Sequence, residues 1–145
     1  MHGGVLLVGM AMAAGACTSS GAPDAAPVVS DGPLQSSCAA AREARDEIVE
    51  LQGGKEQTPE SHGRLRERLE RVNEEAKLSI NEELDPLARD ALASQQDAAN
   101  EELPVGARHD AFHVVVNRVG RIFTVCKEAG TPMPGVIPTI PNRPR

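Results

Sequence analysis

The sequence predicts an all-α fold, a small up-down-up-down four-helix bundle between two non-helical tails. Apolar residues recur at helical spacings of three and four along four segments. Three breaks separate these segments. Each break combines residues that end a helix with a proline that suits the first turn of the following helix. The three breaks are Gly53-Gly54 with Pro59, Asp85-Pro86 and Leu103-Pro104. Because the connections are short, helices that follow each other in the sequence are expected to pack antiparallel.

The first two helices have clear apolar faces. The first is predicted from about Ser37 to Gln52, with Ser36 or Ser37 as its N-cap. Its apolar face comprises Cys38, Ala41, Ala44, Ile48 and Leu51. The second is predicted over about Glu60 to Glu83. Its apolar stripe comprises Leu65, Leu69, Val72, Ala76 and Ile80.

The third and fourth helices differ in regularity. The third, from Pro86 to about Glu102, is the least apolar, with a stripe of Leu87, Ala88, Ala91, Leu92, Gln95 and Ala99. The fourth, from Val105 to Ala129, has the seam of a bundle helix, and Gly130 is a plausible stop. Its seam comprises Val105, His109, Phe112, Val116, Val119, Phe123 and Cys126. The tetrapeptide NEEL occurs twice, at 81–84 and 100–103, a match most simply due to chance.

Composition limits the core and the partners. The chain has two Phe and no Trp or Tyr, so the core must be aliphatic and light. The net charge of −6 argues against nucleic acid as a partner. Acidic and basic residues are mixed along the helices, which is typical of a solvated surface.

The predicted domain organisation has four parts: a signal peptide (1–16), Cys17 with a flexible tether (17–33), the bundle (34–130) and a Pro-rich disordered tail (131–145). The tether is rich in Ser, Ala, Gly and Pro. The tail is a solvated end or, alternatively, a ligand for an aromatic groove.

The N-terminus has the features of an export signal. Val5 to Ala14 is apolar but too short to span a bilayer, which needs about 20 residues. Its length fits the apolar region of a secretory signal, although the usual basic residues before it are missing. Ala14-Gly15-Ala16 satisfies the small-x-small rule of ordinary signal cleavage.

The same residues followed by Cys17 resemble the lipobox of bacterial lipoproteins, departing from it at Ala14, where Leu or Val is commoner. The resemblance implies a diacylglycerol thioether on Cys17, cleavage before it, and acylation of the new amino group, for example by palmitate. The composition is similar to that of small actinobacterial lipoproteins of uncharacterised function, which implies a location on the outer face of the cytoplasmic membrane.

Cysteine parity favours lipidation over ordinary cleavage. An exported chain with Cys17, Cys38 and Cys126 leaves one thiol unpaired. Cys38 near the start of the first helix and Cys126 near the end of the fourth lie at the same end of the predicted bundle. A disulfide between them is therefore expected, and Cys17 remains for the lipid.

No catalytic or cofactor-binding motif occurs in the chain, so we expect neither an enzyme nor a cofactor. His62, His109 and His113 are candidate zinc or copper ligands, but core or flanking histidines explain them more simply, and no metal site is predicted. The sequence thus favours an anchored envelope lipoprotein that interacts with another envelope component. The alternative is a secreted, soluble protein that binds a ligand or a metal.

Overall fold

The computed structural model describes residues 31–53 and 57–135. They form four helices: α1 (Gly32–Gln52), α2 (Pro59–Ala76), α3 (Leu84–Ala99) and α4 (Val105–Glu128). The predicted all-α bundle is confirmed, and the part of the chain that the structure describes contains no strand. The signal peptide, Cys17 and nearly all of the predicted tether lie outside these residues.

The four helices form a closed ring around one core. Each helix packs against its neighbours in sequence, and α4 returns to pack against α1. The α3–α4 interface is the most extensive, and α3 contributes mainly small buried side chains to the core, including Ala88, Ala91 and Ala98. The α1–α4 interface is the least extensive of the four.

Helix α1 begins earlier than predicted. Its N-cap is Asp31, whose Oδ1 accepts a hydrogen bond from the Leu34 N–H at 3.0 Å. Pro33 lies in the first turn, where its missing N–H costs nothing. The prediction of Ser36 or Ser37 as the cap is wrong, since both lie inside the helix. Ser37 is fully buried and donates to the Val72 carbonyl at 3.0 Å, joining α1 to α2.

Helix α2 ends seven residues before its predicted boundary at Glu83, at Ala76. Ile80, predicted in the apolar stripe, is 73% exposed in the following loop. Asp31 fixes this loop, since its Oδ2 accepts hydrogen bonds from Ser79 Oγ at 2.6 Å and from the Ile80 N–H at 3.2 Å. The same carboxylate thus caps α1 and holds the α2–α3 loop through hydrogen bonds.

The two NEEL segments adopt the same turn, one before α3 and one after it. The side chains of Asn81 and Asn100 each accept from the N–H two residues later, at 3.1 and 3.0 Å. Their carbonyls accept from Leu84 and Leu103. Asparagine favours such turns locally, so the shared conformation needs no duplicated hairpin to explain it.

Helix α4 buries a broader face than the predicted seam. Val115, Ile122 and Val125 are buried together with the seam residues from Phe112 onward. Val105 and His109, at the start of the seam, are exposed. Helix α4 has 24 residues and α3 has 16, so α4 extends beyond its main partner.

The disulfide predicted from the sequence is present between Cys38 and Cys126. Both residues are fully buried, and their Cα atoms are 5.9 Å apart. The bond joins α1 to α4 across the least extensive interface of the bundle. It therefore adds a covalent link where contact between helices is least extensive.

The bundle extends past the predicted boundary at Gly130 by at least five residues. Gly130 has φ +82°, a left-handed conformation that favours glycine, and the Thr131 N–H then donates to the Cys126 carbonyl. Residues 131–135, called here the strap, lie on α1. Met133 is buried in the core, and Arg42 and Arg45 donate to the carbonyls of Pro132 and Pro134 at 3.3 and 2.7 Å.

Loss of the disulfide should strongly destabilise the bundle. Replacing Cys38 and Cys126 together by alanine should lower the free energy of unfolding by about 4–5 kcal/mol, because the bond closes a loop with a sequence separation of 88. Urea unfolding would measure the loss, with Cys17→Ser as a control that keeps the pair. Non-reducing peptide mapping that found both thiols free after aerobic purification would contradict the pairing.

The strap should contribute to stability through Met133. The Met133→Ala variant should lose about 2 kcal/mol of unfolding free energy, since the side chain is only 6% exposed. Leu78→Ala is the matched control: Leu78 is 70% exposed, so its truncation should change stability by less than about 0.5 kcal/mol. Equal urea midpoints for the two variants would mean that the strap is not bound in solution.

Candidate functional site

A cleft opens at the end of the bundle opposite the disulfide, where α2 and α4 begin and α3 ends. Its volume is about 460 Å³, and four carboxamide side chains line it, so we call it the amide cleft. They are Gln57, Gln95, Gln96 and Asn100. The remaining lining residues are Pro59, His62, Gly63, Arg66, Ala98, Ala99, Glu101 and Arg108. The lining is rich in hydrogen-bond donors and carries two guanidinium groups against one carboxylate.

Gln95 is the polar residue buried most deeply at this end. It is fully buried, and its Nε2 lies 3.1 Å from His62 Nδ1 and 3.3 Å from the His62 carbonyl oxygen. A carbonyl can only accept, so this atom is the amide nitrogen, and Nδ1 of His62 also accepts from it. The imidazole proton is thereby assigned to Nε2. Gln95 Oε1 has no hydrogen-bond partner among the described residues.

His62 is held in its neutral form. Burial, and secondly the positive charge of Arg108, lower its pKa below the usual 6.5. Both causes agree with the hydrogen bond from Gln95, which needs an unprotonated Nδ1. A neutral His62 offers one donor, its Nε2–H.

Arg108 differs from most arginines of the bundle. Seven others form ion pairs with carboxylates: Arg45, Arg64, Arg66, Arg68, Arg71, Arg89 and Arg118. Among the described residues, no carboxylate lies within ion-pair distance of Arg108, and its Nε is buried without a hydrogen-bond partner. Arg108 also lines a second cavity of about 290 Å³, which shares His62 with the amide cleft and reaches Val105, His109 and Phe112.

The three candidate metal ligands do not converge. His109 and His113 meet one turn apart on α4, with their Nε2 atoms 3.3 Å apart. His62 is instead engaged by Gln95 on α3. Within residues 31–53 and 57–135, no group of three His, Cys, Asp or Glu side chains is arranged to hold a metal ion.

The sequence identified His62 and His109 as candidate ligands, but the cleft beside them was not predicted. One signal was present, because Gln95 is the polar member of an otherwise apolar stripe. A polar residue at such a position is often buried with a specific partner. Nothing in the sequence distinguishes Arg108 from the paired arginines, since the distinction depends on which carboxylates come near in space.

No family model, curated protein or solved structure matches this chain.

The free energy of unfolding should decrease as pH is lowered, because the fold favours the neutral form of His62. The unfolded imidazole binds its proton near pH 6.5, whereas the folded one binds it only at a lower pH, so the contribution of neutral His62 is complete above about pH 6.5 and is lost as pH falls through the folded pKa. His62→Gln should flatten this dependence. Urea unfolding of both proteins between about pH 7.5 and 5 would measure it, and parallel curves would contradict the assignment.

Proposed function

We propose that this protein is a non-enzymatic lipoprotein of the bacterial envelope, anchored through Cys17, whose bundle interacts with another envelope component outside the cytoplasmic membrane. The observation that carries the proposal is the Cys38–Cys126 disulfide. Two of the three cysteines are joined to each other, so Cys17 has no cysteine of this chain left to pair with. A buried structural disulfide is also typical of exported proteins.

The position of α1 supports an anchored bundle. Thr18 to Ser30 separate Cys17 from the cap of α1, and a random coil of this length has a mean reach of about 20 Å. The bundle would therefore lie close to the membrane surface, attached through the N-terminal end of α1. No helix in the described ranges is long and apolar enough to cross a membrane.

The point of attachment leaves the amide cleft accessible. The cleft lies at the start of α2 and the end of α3, opposite the end where the tether enters α1. Anchoring through Cys17 therefore attaches the bundle by its far end and does not cover the cleft. A partner or ligand from the surrounding compartment could reach it without displacing the bundle from the membrane.

Detergent phase separation tests the anchor. The wild-type chain, expressed in a bacterial host that processes lipoproteins, should partition into the detergent phase and incorporate labelled palmitate. Cys17→Ser should abolish both, because it removes the thiol that accepts the lipid. Ser20→Ala is a matched control, close to the processing site, and should behave as wild type.

The rival interpretation makes the opposite prediction. A soluble protein released by ordinary cleavage would appear in the aqueous phase with or without Cys17, and its mature N-terminus would carry no lipid mass. A Cys17→Ser variant that stayed in the detergent phase would also contradict the lipid anchor. Crosslinking in intact cells, followed by purification of the wild-type chain, would then identify the envelope component that contacts the bundle.

A further inference from the structure

We propose that the amide cleft binds a small hydroxy- or aminocarboxylate. The volume of about 460 Å³ lies within the range of small-molecule sites. Binding in the cleft does not require lipid anchoring, because the cleft is built entirely from the bundle and would be the same in a released protein.

Arg108 selects a carboxylate. Its guanidinium lines the cleft without a carboxylate partner among the described residues, and its Nε is buried without a hydrogen-bond acceptor. A ligand carboxylate supplies both the missing negative charge and the missing acceptor, and the guanidinium fork matches its two oxygens. Arg42 and Arg121 also lack a carboxylate partner among the described residues, but of these three arginines only Arg108 has a buried Nε without an acceptor.

Gln95 requires a hydrogen-bond donor on the ligand, in addition to the carboxylate that Arg108 requires. It is fully buried, and its Nε2 is committed to His62, so its orientation is fixed. Its Oε1 accepts nothing from the described residues, and an unsatisfied buried acceptor is costly. A hydroxyl or amino group on the ligand can donate to this oxygen. The ligand therefore carries an O–H or N–H donor close to its carboxylate.

His62 and the surrounding amides complete the recognition. The Gln95 amide holds Nδ1 of His62, which leaves the Nε2–H as a donor. Gln96 and Asn100 add further amide groups to the lining, and Arg66 adds a second positive charge that Glu70 partly balances at 3.4 Å. Donors outnumber acceptors, which favours an anion over a cation. Glu101, the carboxylate in the lining, suits an amino group on the ligand.

Two probes that differ by one hydroxyl test both requirements. In the full chain, L-malate should cause a saturable shift of the Arg108 Nε–H signal in nitrogen-15 NMR, with an apparent Kd in the millimolar range or tighter. Succinate lacks the hydroxyl and should bind about tenfold more weakly, since Gln95 Oε1 then stays unpaired. Inorganic phosphate, the third probe, distinguishes a carboxylate site from a general anion site.

Variants separate binding from folding. Arg108→Gln should abolish malate binding measured by calorimetry, and Arg108→Lys should retain a weakened affinity because it keeps the charge but loses the fork. Arg118→Gln, on the same helix but outside the cleft, should bind malate as wild type does. Gln95→Met should remove the difference between malate and succinate. Circular dichroism of each variant confirms the helical fold.

Several outcomes would overturn the proposal. Absence of a saturable shift with malate, or malate binding that persists in Arg108→Gln, would remove the carboxylate site. Binding of phosphate alone would contradict a carboxylate ligand. Equal affinities for malate and succinate would overturn the role assigned to Gln95. None of these results depends on whether Cys17 carries lipid. The proposals of a lipid anchor and of a carboxylate site are therefore tested separately.

Discussion

The disulfide between Cys38 and Cys126 closes the ring of four helices. Three of the interfaces join helices that follow each other in sequence, and short connections hold them together. The fourth joins α1 to α4, the least extensive interface, where no short connection helps. Restricting the unfolded chain by a covalent link matters most in a core of this kind, which contains two Phe and otherwise mainly Ala, Val, Leu and Ile. A light aliphatic core therefore depends more on the disulfide than a larger core would.

Much of this architecture could be predicted from residue spacing. The apolar positions of α1, α2 and α4 identify their buried faces, and cysteine parity together with antiparallel topology identifies the disulfide. Helix ends were harder, because they depend on competition between local and distant contacts. Asp31 prevails over the serines as the cap of α1 partly because its other oxygen binds Ser79 in a distant loop. Ile80 matches the α2 period, yet the helix ends before reaching it.

The cleft and the strap could not be predicted for a related reason. Each depends on side chains that meet only after the helices have packed. Gln95 and His62 are on different helices. Arg108 lacks an ion pair only because of where the packed helices place the carboxylates. The strap is bound by Arg42 and Arg45, and two charged side chains on a helix give no indication that a proline-rich segment covers them. Periodicity describes one helix at a time and contains no information of this kind.

The position of the disulfide also determines how the molecule responds to mechanical force. A pull between the two ends of the described chain passes from residues 31–38 through the sulfur–sulfur bond to residues 126–135. The segment between the two cysteines is a closed covalent loop and bears no tension. A bundle held at one end by a membrane and at the other by an attached partner would therefore keep its interior, including the amide cleft, intact under load. Under reducing conditions the same pull would act directly on all four helices.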